Sequence, residues 1–574
     1  MVELRSLAGK KKTGVEISRM DSTTRVASVE LHSHAAVRKT RVELSSAIVG
    51  SGPKNNIVYL EVFATTVCCS LEIIEPHVDI HGGRQFSVRG PELLGKQTTI
   101  INDANNSTTT TPPHVVLVPL FAQGHIIPML DMARLLAQRG VLVTFITTPV
   151  NASRIKPIIA RVHESKLPIN FIEIPFPCAE AGIPIPLGCE NFDLLPSPEL
   201  FLNFFDAIRL LSHPLEQRLR DLVPLPTCMI NDMWNLWTAN VARSLSIRRL
   251  VFHGPFLYYR ALVLTDDHDD DVGQSFKVSK AHSSGWSNMP GFEKIRDEVL
   301  HAAETVDGVV MNTLDDVELM FVEAYKKVVG KDVWTVGPLC LYDKDDDFSA
   351  RIVRGNKTAV DQEKLFGWLD SMEENSVLYV SFGTLTQMKV GETLEIGSGL
   401  EASGVPFIWV IKDVEKSPAV EEWLEGFEKR MSLRSIVIKG WAPQAAILSH
   451  KSVGGFVSHC GWNSTLEAIS NGVPMITWPQ IADQFLNERL VVKFLRMGIA
   501  IGVKKPMFYF GEDEISVSSS DVERAVRGLM GDGQEAQERR IRATEIKGKA
   551  IKAMEEGGSS YENITMLVEY IKHA

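Results

Sequence analysis

Residues 441–484 read WAPQAAILSHKSVGGFVSHCGWNSTLEAISNGVPMITWPQIADQ, and their pattern decides the fold. Residues 454–459 read as a strand, and Cys460-Gly461-Trp462 follows as a tight turn. Residues 464–471 take helical spacing and stop at Gly472. A strand, a sharp turn and a helix in that order aim free amide N–H groups at the strand's carboxyl edge. An anion can be held there without a lysine cluster or a metal. His459, Asn463 and Ser464 add side-chain donors at the same spot.

The same alternation extends on both sides of this stretch. From His114 onward, residues 115–120 are a continuous apolar run and residues 126–139 have helical spacing. Pro128 falls in the first turn of that predicted helix and Gly140 at its end. Residues 141–147 are again β-branched and apolar, and strands are expected near 169–174, 228–231, 249–252 and 309–312. The pattern breaks around Val336-Gly337-Pro338, and the acidic, polar residues 343–362 read as a linker. A second series follows at 377–382, 407–411, 436–438, 455–458 and 475–478. The expected fold is α/β, with two Rossmann-like domains, 113–342 and 363–574, facing across a cleft. Open sheets of this kind bind ligands outside the carboxyl ends of their strands, so the site belongs in that cleft. Residues 1–112 differ: they mix polar runs with one β-like stretch, 57–71, and end in NNSTTTTPP. They are expected to be an extension, disordered or foreign to the rest.

At 574 residues the chain exceeds what one core usually supports, which agrees with two domains. Its 44% apolar and 23% charged residues are those of a soluble globular protein. The net charge of −11 leaves no electrostatic footprint for nucleic acid or an anionic membrane. Seven cysteines with no CxxC pair point to a reducing compartment rather than a disulfide framework. No run approaches the ~20 apolar residues of a membrane span. The start is basic but lacks an apolar h-region, and Glu3, Glu16 and Asp21 argue against a transit peptide. A cytoplasmic monomer is expected.

Within residues 441–484, Trp441 offers a plane for a base, Glu467 can accept two ribose hydroxyls, and Asp483 and Gln484 can bond sugar hydroxyls. Blander readings exist: Ser464-x-x-Glu467 fits a capping box, Trp441 and Trp462 fit core aromatics, and Asp483-Gln484 fits a surface turn. Together, however, these residues supply every group a nucleotide sugar requires. The stretch resembles the signature box of plant secondary-product UDP-glycosyltransferases in its W-A-P-Q start, H-C-G-W-N-S centre and D-Q end. The similarity runs from about residue 114 to 574 and implies a GT-B fold, acceptor in the first half and donor in the second. By that resemblance, Trp441 stacks on uracil and Ala442 and Gln444 contact its edge. Thr384, His459, Asn463 and Ser464 hold the phosphates, and Glu467 binds ribose. Trp462, Asp483 and Gln484 face the sugar, with Gln484 loosely associated with glucose. No cofactor is implied beyond the UDP-sugar itself, and no metal.

His125 lies where the first strand gives way to its helix, a position at which a lone histidine is more often structural. The resemblance makes it the catalytic base, with Asp232, at the end of another strand, as its partner. The implied reaction is inverting O-transfer, probing a hydroxyl of a flavonoid, triterpenoid or steroid as acceptor. Phe121, Phe256 and Leu257 are candidate acceptor contacts. Residues 151–154 (NASR), 188–191 (GCEN) and 194–197 (LLPS) resemble one branch of the family with such acceptors. Residues 266–271 (DDHDDD) carry the spacing of a metal-binding DxD, but in a polar stretch that reads as a solvated loop. The alternatives are a catalytically silent nucleotide-sugar-binding protein of the same fold and a transferase using UDP-galactose or another UDP-sugar. An animal-type membrane enzyme would need an apolar span near the C-terminus, which residues 559–574 lack.

Overall fold

The computed structural model describes residues 112–178, 182–254, 291–342, 351–352, 354–386, 388–412, 417–504 and 515–574, with short strands between residues 2 and 88. The chain divides into two units, Met1–Thr109 and Thr110–Ala574. In the first, the strands run from Val2–Ser6 to Arg84–Val88, where the sequence showed one β-like stretch. Only Val58–Leu60 falls within that stretch. Alternation such as Val15-Glu16-Ile17 supplies the period of two that the other strands need.

The second unit holds two parallel sheets. The first contains β1 (His114–Val118), β2 (Leu142–Thr147), β3 (Ile169–Glu173), β4 (Cys228–Asp232), β5 (Arg248–His253), β6 (Gly308–Met311) and β7 (Asp332–Thr335). Their order is β3-β2-β1-β4-β5-β6-β7. The second contains β8 (Val377–Ser381), β9 (Phe407–Ile411), β10 (Ser435–Lys439), β11 (Val453–Ser458), β12 (Met475–Thr477) and β13 (Gly498–Ala500), ordered β10-β9-β8-β11-β12-β13. Central strands such as β1 (HVVLV) and β8 (VLYVS) are buried along their whole length, as helices on both faces demand. In each sheet the strand order reverses once, between β1 and β4 and between β8 and β11. Those reversal points open the crevices in which α/β sheets take ligands.

Two further features position the cleft. One apolar cluster draws on both halves, with Met311, Val317 and Phe321 from the first and Phe456 and Leu466 from the second. The C-terminal helix Ser559–Lys572 crosses back, and its Ile564, Leu567, Val568 and Ile571 enter the core of the first domain. Ser560 donates to the carbonyl of Gly337 at 2.5 Å, and Trp334 packs on Tyr570 with ring centres 4.9 Å apart.

Candidate active site

Helix Gln123–Gln138 starts directly after β1 and carries His125 in its first turn. This is three residues earlier than the apolar spacing suggested, because Gln123, Gly124 and His125 are polar or small. Pro128 therefore lies one turn into the helix instead of at its start. Having no N–H, it leaves the carbonyl of Gly124 without its helical donor. That oxygen accepts Asn463 Nδ2 from the opposite domain at 2.5 Å.

Asp232 ends β4, the neighbour of β1, so sheet pairing brings it beside His125. Its Oδ2 lies 2.6 Å from His125 Nδ1, and its Oδ1 accepts the Trp234 amide at 3.0 Å. The Asp232 side chain is 2% exposed and the His125 side chain 36% exposed, so the aspartate stands behind a ring that faces the cleft. With Nδ1 committed to the carboxylate, Nε2 is the ring nitrogen left for a substrate. Burial works against the charged imidazole, but the carboxylates of Asp232 and Asp483 outweigh it and hold His125 above the ordinary 6.5.

Across the cleft, helix Trp462–Asn471 follows β11. Its N-cap is Gly461, and no side chain caps it. The capping-box reading of Ser464 and Glu467 is thereby corrected. Ser464 sits inside the first turn and accepts Gln444 Nε2 at 2.9 Å, while Glu467 Oε2 accepts the same amide at 2.8 Å. The first amides of the helix are thus left for an anion. The turn before it is held in the left-handed conformation at Cys460, φ 64°, where Asn487 Nδ2 donates to the Cys460 carbonyl at 2.8 Å. The His459 ring is wedged against Gly383 and Gly461, where a Cβ on either glycine would collide with it. Burial, helped by Lys412, pushes His459 down to about 3, so it is a neutral donor at working pH.

One cavity of about 330 Å³ runs between these elements. Thr384, Trp441, Ala442, Gln444, His459, Trp462, Asn463, Ser464, Glu467, Asp483 and Gln484 line it on the second domain's side, and His125 on the first's. Some of these side chains are already engaged. Asn463 bonds Gly124, and Trp462 Nε1 donates to the Asn312 carbonyl at 2.7 Å, tying the box to the first domain. Gln484 Oε1 accepts the amides of Gln480 and Ile481 at 2.8 and 3.0 Å, so only its NH₂ is left for a ligand. Burial raises Asp483 to about 6, with Asn487 and His125 opposing it.

Phe121 does not line the cavity. Leu120 and Ala122 on either side do, while Phe121 turns into the core, edge-on to Phe176 at 6.2 Å. The apolar wall comes instead from Phe192, Phe205, Met233, Trp234, Phe252 and Val299. Phe256, Leu257 and the 266–271 run lie outside the described residues. Asn151 and Asn191 form a buried lock, Asn191 Nδ2 donating to Asn151 Oδ1 at 2.8 Å, and this sets Phe192 at the cavity. Arg154 and Asp193 close that lock in a two-pronged ion pair at 2.7 and 2.5 Å. Lys412, Gln123 and Arg354 also line the cavity and were not found from the sequence. Lys412 directly follows β9, so the rule that ligands meet strand ends would have found it. Among the described residues no cluster of His, Cys, Asp and Glu could hold a metal, and no helix is long and apolar enough to cross a membrane.

Sheets of this order, set face to face with an uncapped helix end opposite a histidine–aspartate pair, define a two-domain transferase of the GT-B class. Comparison with known proteins agrees. The model for "Glycosyltransferase, N-terminal domain" matches residues 113–341, and that for "UDP-glucoronosyl and UDP-glucosyl transferase" matches residues 353–534. UDP-glycosyltransferase 73C6 of Arabidopsis thaliana is 42% identical over 481 residues, covering 80% of this chain and 96% of that protein. UDP-glycosyltransferase 73E1 of Stevia rebaudiana is 41% identical, covering 79% and 95%. Among solved structures, Glycyrrhiza uralensis UGT73P12 complexed with glycyrrhetinic acid 3-O-monoglucuronide superposes with a TM-score of 0.71 at 30% identity, covering 81% of this chain and 96% of that one. Arabidopsis thaliana UGT89C1 complexed with UDP-L-rhamnose gives 0.65 at 30% identity, covering 81% and 100%. The chain belongs to the UDP-glycosyltransferase family and is an enzyme of that class.

Proposed function

We propose that the enzyme transfers glucose from UDP-glucose to a hydroxyl of a lipophilic plant-type secondary metabolite, such as a flavonoid, triterpenoid or steroid, with inversion at the anomeric carbon. The observation that carries this reading is the 2.6 Å contact between His125 and Asp232, facing an uncapped helix end across the cleft. The acceptor hydroxyl gives its proton to His125 Nε2 as its oxygen bonds C1 of the sugar. The bond from C1 to the phosphate oxygen breaks, and its electron pair leaves with UDP. Asp232 holds the proton of Nδ1 and stabilises the imidazolium that forms. Charge growing on UDP meets the amides of helix Trp462–Asn471, the neutral His459 and Lys412.

The remaining roles are part of the same proposal. Trp441 carries uracil and Glu467 the ribose, while Thr384 and Ser464 hold phosphate. Asp483 and the Gln484 amide read the sugar hydroxyls. The apolar wall of Phe192, Phe205 and Trp234 suits a broad hydrophobic acceptor. UGT73P12 was solved with glycyrrhetinic acid 3-O-monoglucuronide and UGT89C1 with UDP-L-rhamnose, so the choice of glucose as donor sugar rests on Gln484. The test is to incubate the purified chain with UDP-glucose, UDP-galactose or UDP-rhamnose and a panel of phenolic and terpenoid alcohols. A β-glucoside made fastest from UDP-glucose is expected. An α-glucoside, or release of free glucose alone, would overturn the reading.

A further inference from the structure

The linker between the domains does not pass the donor pocket at a distance. Arg354 spans it: Nη2 and Nε contact Asp131 Oδ2 at 2.6 and 3.1 Å, and Nη1 pairs with Glu467 Oε1. Asp131 belongs to helix Gln123–Gln138 of the first domain and Glu467 to helix Trp462–Asn471 of the second. All three side chains are nearly out of solvent, at 13%, 7% and 10% exposure. Arg354 and Glu467 line the cavity, whereas Asp131 does not.

The two residues after Arg354 extend the contact. Gly355, at φ +121°, lies so close to the Trp441 indole that a Cβ there would collide with it. Asn356 Oδ1 accepts Gln123 Nε2 at 2.8 Å and Arg154 Nε at 2.9 Å, both from the first domain. The linker turn is thus bonded to the acceptor half while it touches the two donor-half residues read as carrying base and ribose.

We propose that Arg354 is a positioning residue that ties the domains together and presents Glu467 to the ribose, so that Asp131 controls donor recognition without touching the donor. The proposal rests on the reading of Glu467 as the ribose acceptor. A guanidinium fork suits the task because it can grip one carboxylate with each side in fixed geometry, which an ammonium cannot. With one lone pair of Oε1 given to Arg354 and one of Oε2 to Gln444, Glu467 keeps acceptor capacity on both oxygens for the ribose hydroxyls. Its orientation is then set by the first domain, and ribose recognition depends on the two halves being in register.

The test is calorimetric titration of the full-length protein with UDP and with 2′,3′-dideoxy-UDP, comparing Asp131→Leu, Asp131→Asn, Arg354→Lys and Glu467→Gln. The preference for UDP over the dideoxy analogue is read as a ratio. Asp131→Leu and Arg354→Lys should shrink that ratio about 5-fold or more, the lower range of couplings between sites. Asp131→Asn, which keeps an acceptor of the same shape, should fall between. A merely structural role would weaken both nucleotides alike and leave the ratio unchanged. Should Arg354→Lys fail to fold, the Asp131 variants carry the test, since Arg354 keeps its contact with Glu467. A wild-type ratio in the Asp131 and Arg354 variants, with a collapsed ratio in Glu467→Gln, overturns the tie and leaves the ribose reading standing. A wild-type ratio in Glu467→Gln overturns both.

Discussion

At the scale of single residues, the site turns on how His125 holds its proton. Asp232 and Asp483 raise its pKa above 6.5, and in the proposed role of base it acts only when it is deprotonated. The acid limb of kcat/KM should therefore bend above pH 6.5, with activity rising as pH increases through that point. Asp232→Asn removes the nearest charge, so the limb should move to lower pH while the plateau falls by less than the ~10²–10⁴-fold typical of losing a base outright. A limb that stays in place would show that Asp232 is not what tunes the ring. Gln484 makes a second prediction. Its carbonyl oxygen is spent on the 480–481 backbone, so only the amide hydrogens can read a sugar hydroxyl. Gln484→His should lower the kcat/KM ratio of UDP-glucose to UDP-galactose, and an unchanged ratio would place donor preference in Asp483 or Trp462. His125, Asp232 and the donor box were picked out in the sequence by the family resemblance, since position alone left His125 more often structural, and the structure brings them to one cleft. Phe121 was misjudged because the side chains leaving β1 alternate, putting Leu120 and Ala122 at the cavity and Phe121 in the core. Arg354 gave no signal, since a linker arginine acquires meaning only when two distant carboxylates close on it.

At the scale of elements, long apolar runs were easily read and short ones were not. β9 is the strand expected at 407–411, whereas β7 (DVWT) and β13 (GIA) are too short to show a period. Helix starts were the other weak point. Residues 123–125 and 462–463 are helical although neither pair of ends carries the apolar spacing, because the chain there turns sharply off a strand. The open end of helix Trp462–Asn471 predicts that transfer survives excess EDTA, since its amides, His459 and Lys412 meet the charge of the leaving UDP. Loss of turnover with EDTA, restored by magnesium or manganese, would contradict that role. The C-terminal helix yields a stability prediction. Leu567 is 1% exposed in the first domain's core, so Leu567→Ala should cost about 2–5 kcal/mol in equilibrium unfolding. A loss below about 1 kcal/mol would mean the helix is only loosely docked.

At the scale of the whole molecule, the division of labour between halves is the central claim. On the proposed reading the first domain brings the base and the apolar wall and the second the groups for UDP and sugar, and three contacts hold them in register: Asn463 to Gly124, Trp462 to Asn312, and Arg354 to both Asp131 and Glu467. Two such domains were foreseeable from the repeated alternation of strands and helices. Their register was not, because it depends on contacts between residues more than a hundred positions apart. The division of labour implies that chemistry and donor binding can be separated by one substitution in the first domain. His125→Ala, assayed with an aliphatic alcohol acceptor and titrated in parallel with UDP, measures both. Turnover should fall by about 10²–10⁴-fold, towards the upper end for an alcohol that does not ionise, while UDP binds as in the unaltered enzyme. Near-normal turnover of that alcohol would contradict the account and leave His125 a structural residue.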